Sequence, residues 1–315
     1  MPSVYFRVIQ TGPEASLQDA GRFGVRHLGL TQGGNMDWIA AASANQLLGN
    51  PANAACIEVL LGGLVLEAQQ DAWISIAGAD SPACIDDHPI TGWQVSAIKA
   101  GQRLSLGYAT RGLRCYIGLA GGGWLGEQSW FNSWSCVKRE QLGGHLGSGA
   151  LLGVGDQLLG SSQAHQAPPP CSPLPCELTQ FDYAQTTQLA VLLGAQSRDF
   201  AGRSLFDAFN RPWQVSQRAN RMGIRLEGPR LVYRGAGLIS EGVSLGGIQV
   251  PADGQPFVLM NDRQTIGGYP RLGALTPFAC AVLAQKAPGQ CIGLTPTSEH
   301  AALSQLRKLH RTLTG

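Results

Sequence analysis

Forty-two glycines in 315 residues interrupt the apolar stretches of this chain so often that few can continue as helices. Glycine weakens helix and strand interiors but suits turns, bulges and close backbone approaches. The runs at residues 72–77, 102–106, 114–119, 189–193, 223–226 and 257–260 are short, apolar or alternating, and punctuated by Gly, Pro or Asp. Each reads as a strand, and the chain as mainly β, of the kind that closes into barrels. Three helices are expected. One covers residues 36–48, with Asn35 as N-cap and Gly49 just beyond its end. A second covers 277–286, with Thr276 as cap and Pro277 at the first helical position. The third runs from Ser298 onward, where Ala302, Leu306, Leu309 and Leu313 fall on one helical face. Pro251-Ala252-Asp253-Gly254 reads as a hairpin turn.

The length suggests two domains. Residues 161–176, SSQAHQAPPPCSPLPC, form a semi-rigid proline-rich linker, which leaves domains at 1–160 and 177–315. A hydrophobic fraction of 44% with 14% charged residues describes a folded chain, not a disordered one. The net charge of +2 offers no basis for binding nucleic acid or a membrane surface. No apolar run approaches the roughly 20 residues of a membrane helix. The N-terminus lacks a basic region followed by an apolar core. Cysteines scattered through apolar segments read as reduced thiols, and the expected location is cytoplasmic. Cys171 and Cys176 do not have zinc-ligand spacing, and no metal site is expected.

The candidate site begins where the apolar run Phe257-Val258-Leu259-Met260 stops at Asn261-Asp262-Arg263-Gln264-Thr265, with Gly267-Gly268-Tyr269-Pro270 following. A dry, unpaired Asp and Arg beside a buried strand would cost several kcal/mol. These side chains must reach solvent, pair with each other, or face a ligand.

Two apparent catalytic motifs read as structural. Gly242-Val243-Ser244-Leu245-Gly246 matches GxSxG, but the strand-like Gly247-Ile248-Gln249-Val250-Pro251 follows where a nucleophile elbow needs a helix. Gly121-Gly122-Gly123-Trp124-Leu125-Gly126 matches GxGxxG without the amphipathic helix of a dinucleotide fold. No GxxxxGK[ST] occurs, so any ATP site is not a P-loop. His27 and His145 read as structural histidines.

Several segments together resemble the allophanate hydrolase subunit 2 family, which includes the C subunit of prokaryotic ATP-dependent 5-oxoprolinase and a kinase-inhibitor antagonist. They are SLQDAGRFG from Ser16, residues 33–63, AGAD from Ala77, RANRMGIRLEGP from Arg218, and residues 239–270. The resemblance runs in order from about residue 8 to residue 293. It implies two cyclophilin-like β-barrel domains with a few short helices, a B-type partner subunit with an A-type subunit beyond it, and ATP with Mg2+ shared among the subunits. It also implies a small-molecule amide substrate, 5-oxoproline, whose lactam opens to glutamate. In this reading Asp262, Arg263 and Glu241 are the candidate catalytic residues. Asn220, Arg221, Gln249, Gln264 and Arg271 are candidate substrate contacts, and Asp19 and Arg22 bring the first domain to the same cleft.

The chain departs from the family pattern where a GSRSTD-like run is usual and Asn132-Ser133-Trp134-Ser135-Cys136-Val137 stands. Trp134 replaces an arginine and Val137 an aspartate. The departure motivates an alternative reading, a non-catalytic module that binds and regulates a partner. Another alternative is a carboxyltransferase component acting on a urea-like substrate. No Met-Lys biotin-attachment pair is present, so biotin would arrive on another chain.

Overall fold

The computed structural model describes residues 2–169, 174–175, 183, 185 and 187–314. Cys171, Cys176 and much of the proline-rich linker lie outside the described residues. The chain divides into two compact units, one of Met1–Gly24, Gly33–Tyr183 and Arg311–Gly315, the other of Val25–Gln32 and Ala184–His310. Residues 25–32 thus belong with the C-terminal unit, although they lie within the stretch expected to form the N-terminal domain.

In the first unit, strands form two antiparallel sheets. One runs in the order Trp124–Leu125, Gln157–Gly160, Ser3–Gln10, Leu64–Ala68, Arg103–Leu106, Ala83–Ile85, His88–Ile90. The other runs Glu14–Gln18, Cys56–Leu60, Arg111–Leu119, Ala72–Asp80, Val95–Ile98. Side chains from both, including Phe6, Leu66, Ile57, Ile74, Ile117 and Trp124, make one continuous core. Phe6 and Trp124 meet with ring centroids 5.3 Å apart.

The helix Trp38–Leu47 lies on the second sheet through Ala40, Ala41 and Ala44, against Ala77 and Tyr116. Small residues allow this close approach, and Ser75 Oγ donates to the Ala44 carbonyl at 2.7 Å. Asp37, not Asn35, is the cap; its Oδ1 accepts from the Ile39 and Ala40 amides at 3.1 Å. The cap lies later than expected because tertiary contacts hold the preceding backbone. Met36 N donates to Glu58 Oε2 at 2.8 Å and Asp37 N to the Tyr116 hydroxyl at 2.7 Å.

The second unit contains a closed barrel of Thr187–Leu193, Arg271–Leu275, Gly247–Gln249, Phe257–Leu259, Gly223–Glu227, Trp213–Ala219 and Cys291–Pro296. The first and last of these pair in parallel and close it. Val191, Trp213, Leu226, Ile248, Val258, Leu272 and Ile292 from these strands are fully buried. The hairpin turn stands where expected: Gly254 N donates to Pro251 O at 2.9 Å, and Gly254 has φ +77°, a conformation suited to glycine.

The helix Pro277–Ala284 is capped by Thr276, whose Oγ1 accepts from Ala279 N at 3.2 Å. In the helix Glu299–Thr314, Ala302 and Leu313 are buried and Leu306 and Leu309 partly so, which is the face the spacing indicated. One further helix, Gly202–Asn210, was not anticipated. The chain is mainly β with few helices, as expected. No helix among the described residues is long and apolar enough to cross a membrane.

Candidate functional site

The polar break of the second unit is a clasp between two loops. Residues 260–262 donate backbone hydrogen bonds to 220–222, Met260 N to Met222 O at 2.9 Å and Asp262 N to Arg221 O at 2.8 Å. Arg221 then reaches back with its fork, Nε to Asp262 Oδ2 at 3.0 Å and Nη2 to Oδ1 at 3.1 Å. Bidentate Arg–carboxylate pairs are among the stronger and more directional polar contacts. Asp262 is therefore held by Arg221, not by its sequence neighbour Arg263.

Arg263 is 4% exposed. Its Nη1 donates to Met260 O at 3.2 Å and its Nη2 to Gln32 Oε1 at 3.3 Å. Its Nε is buried without a hydrogen-bond partner. Burial, then the nearby positive charge of Arg26, holds this guanidinium at about 10, well below its ordinary value. The Cys280 thiol close by is pushed up to about 12 by burial, so it is not a nucleophile at neutral pH.

The other nominated residues of this unit divide by role. Asn220 Oδ1 accepts from the Met222 and Gly223 amides at 2.8 and 3.2 Å, closing a local turn. Arg271 forms an ion pair with Glu241 at the surface, and Gln196 Nε2 also donates to that carboxylate at 3.1 Å. Gln249 is 2% exposed and its Nε2 lacks an acceptor. A Cβ on Gly267 would come within 2.6 Å of that nitrogen, so a larger residue there would displace the Gln249 amide. Gln264 is half-buried and its carbonyl faces Arg26.

Arg26, Thr31 and Gln32 were not anticipated. They stand in Val25–Gln32, which belongs to this unit. Arg26 Nη2 donates to Thr265 O at 2.9 Å and Gln264 O at 3.4 Å, and Thr31 Oγ1 to Arg263 O at 3.5 Å. His27 is exposed in the same short turn.

In the first unit, Asp19 and the segment 132–137 come together. The Asp19 carboxylate accepts from Ser133 Oγ at 2.7 Å, Ser135 Oγ at 2.6 Å, Trp134 N at 2.8 Å and Gly21 N at 2.8 Å. Arg22 is fully buried, and its Nη2 donates to Ser135 O. Gln18 Nε2 donates to Cys136 O at 3.0 Å. Above Asp19 opens a pocket of about 400 Å³ lined by Phe23, Asn53, Phe131, Asn132 and Trp134. Phe131 and Asn132 hold φ of 51° and 58°, a left-handed strain that L residues adopt rarely. His145, elsewhere in this unit, is buried with Nε2 2.7 Å from Asp156 Oδ2.

The GxSxG stretch runs from the short strand Glu241–Gly242 into the strand Gly247–Gln249, with no helix behind the serine. The GxGxxG glycines lead into the strand Trp124–Leu125. Among the described residues, no group of three or more His, Cys, Asp or Glu side chains is arranged to hold a metal ion.

The family described as carboxyltransferase domain, subdomain A and B, matches residues 28–296. This chain belongs to that family. It is 37% identical to the 5-oxoprolinase C subunit of Escherichia coli over 302 residues, 94% of this chain and 93% of that protein. It is 32% identical to the 5-oxoprolinase C subunit of Haemophilus influenzae, over 96% of this chain and 94% of that one. The K. lactis urea amidolyase structure superposes with a TM-score of 0.90 at 24% identity, covering 99% of this chain and 20% of that one. That likeness concerns the fold.

Proposed function

We propose that this chain is the C subunit of an ATP-dependent 5-oxoprolinase, a hydrolase that opens a lactam to glutamate in complex with a B-type and an A-type partner. The observation that carries the reading is the 37% identity to the E. coli 5-oxoprolinase C subunit along nearly the whole of both chains. The second-unit loops suit the chemistry. A lactam carbonyl is a poor electrophile because its amide is resonance-stabilised, and opening it develops negative charge on oxygen. Preorganised donors stabilise such charge most in a water-poor setting, and buried Arg263 supplies cationic donors there. Asp262, oriented by Arg221, is the candidate acid–base group of the same loop. Glu241 is a candidate that is exposed and paired with Arg271. Gln249 contributes an amide donor. ATP would supply the driving force for ring opening, with the magnesium–nucleotide shared among the subunits.

The test is to co-express the chain with B-type and A-type partners and to follow phosphate release with 5-oxoproline. Release that requires this chain supports the proposal; an assembled complex with no stimulated release would refute it. A second reading, a carboxyltransferase acting on a urea-like substrate, is favoured by the description of the matched family. It requires a biotin carrier on another chain, since none of the four methionines precedes a lysine. Transfer of carboxylate from carboxybiotin to urea by the purified complex would establish it in place of the first.

A further inference from the structure

The four arginines around the second-unit loops differ in what neutralises them. Arg221 is forked to Asp262 and Arg271 is paired with Glu241. Arg26 and Arg263 have no carboxylate partner among the described residues. Their hydrogen bonds go only to the carbonyls of Gln264, Thr265 and Met260 and to the Gln32 side chain. Arg26 donates to the backbone of the two residues that follow Arg263, which brings its charge close enough to be felt by the Arg263 guanidinium. Burying a charge without a counter-ion costs several kcal/mol, and a second like charge adds to it. Arg263, only 4% exposed, still has a donor, Nε, with no acceptor. Burial first and then Arg26 lower its pKa to about 10, and the charge of Asp262, which is forked to Arg221, only partly offsets them. A neutral donor shares the loop system: Gln249 Nε2, buried and unpartnered, lies against Gly267.

We propose that Arg26 and Arg263 together form an oxyanion-binding subsite that takes a carboxylate or phosphoryl group. Arg26, half-buried, gives the anion its way in, and Arg263 supplies the desolvated charge. Bidentate capture of planar oxyanions is what guanidinium geometry does best. Arg221 and Arg271, already neutralised, hold the scaffold. The proposal deepens the lactam-hydrolase reading and rests on it only for the anion's origin, which is either the substrate carboxylate or a phosphoryl group.

The test uses the full chain alone, titrated calorimetrically at pH 8 with inorganic phosphate and, separately, with acetate. Arg26→Gln and Arg263→Gln should each weaken binding about tenfold or more, while the exposed control Arg218→Gln should leave it unchanged. The preferred anion indicates the source: tighter acetate points to a substrate carboxylate, tighter phosphate to a phosphoryl group. In the unaltered protein, the preferred anion should slow phenylglyoxal modification of Arg26, read by peptide mass spectrometry, so the test does not depend on the variants folding. Absence of binding by either anion, unchanged binding by Arg26→Gln, or unprotected Arg26 would each overturn the subsite. Neither partner nor turnover is needed, so failure here leaves the lactam-hydrolase reading untouched, and failure of hydrolysis leaves this subsite standing.

Discussion

Asp262 and Arg263 are adjacent in sequence and opposite in charge, but the structure gives them separate partners. Asp262 is held by the Arg221 fork, both side chains being about nine-tenths buried. Arg221→Ala removes both fork contacts and leaves the carboxylate buried without them. It should destabilise the chain by about 3 kcal/mol, measured by urea unfolding. The double variant Arg221→Ala/Asp262→Ala should recover part of that loss, because no uncompensated charge remains; a double variant worse than the sum of both singles would contradict the pairing. Arg263 makes a pH prediction. Its guanidinium titrates near 10 instead of at its ordinary 12.5, so the free site stays charged below that pH. Acetate affinity should therefore be level from about pH 7 to 9 and fall as pH rises through about 10, when the bound charge is lost. A fall that persists in Arg263→Gln would assign the titration to another group. Sequence pointed to residues 261–265 because a polar run that ends a buried strand needs a partner. It could not point to Arg26, which meets Gln264 across 238 positions; only the fold brings such residues together.

Among the elements, those with local determinants were legible. Thr276 and Pro277 specify a helix start through a side-chain acceptor and a preset φ, and the structure uses both. The spacing of Ala302, Leu306, Leu309 and Leu313 identified the buried face of the C-terminal helix. The helix Gly202–Asn210 escaped notice because its N-cap, Ala201, makes no side-chain cap bond, so no start signal is written in the chain. Asn35 was a plausible cap by local rules, but long-range bonds from Glu58 and Tyr116 move the start to Asp37. The seat of that helix is set by Gly118. A Cβ there would lie 2.7 Å from Ser75 Oγ, 2.9 Å from Leu48 Cδ1 and 3.3 Å from the Ala44 carbonyl. Gly118→Ala should cost about 1–3 kcal/mol by overpacking, visible as a lower urea midpoint with an unchanged slope. A neutral substitution would mean that the helix does not pack as closely as described.

For the whole molecule, glycine-punctuated short runs correctly indicated a mainly β chain, and the second unit closes its barrel through one parallel pair. The membership of Val25–Gln32 in the second unit carries no local signal, since a contiguous boundary is the simplest reading of a proline-rich linker. In the first unit, the segment that holds Trp134 and Val137 is tied into the fold. Ser133 and Ser135 hold Asp19, and Val137 is fully buried. In the proposed complex this chain completes a lactam hydrolase, and Arg263 contributes to its chemistry. The most direct measurement is glutamate formed from isotopically labelled 5-oxoproline by the complex assembled with B-type and A-type partners, comparing the unaltered chain with Arg263→Gln. ATP-dependent glutamate is expected from the first, and at least about a hundredfold less from the second at equal assembly, the loss expected on removing a charge-stabilising donor. Equal rates from both, or no glutamate from a fully assembled complex, would contradict it.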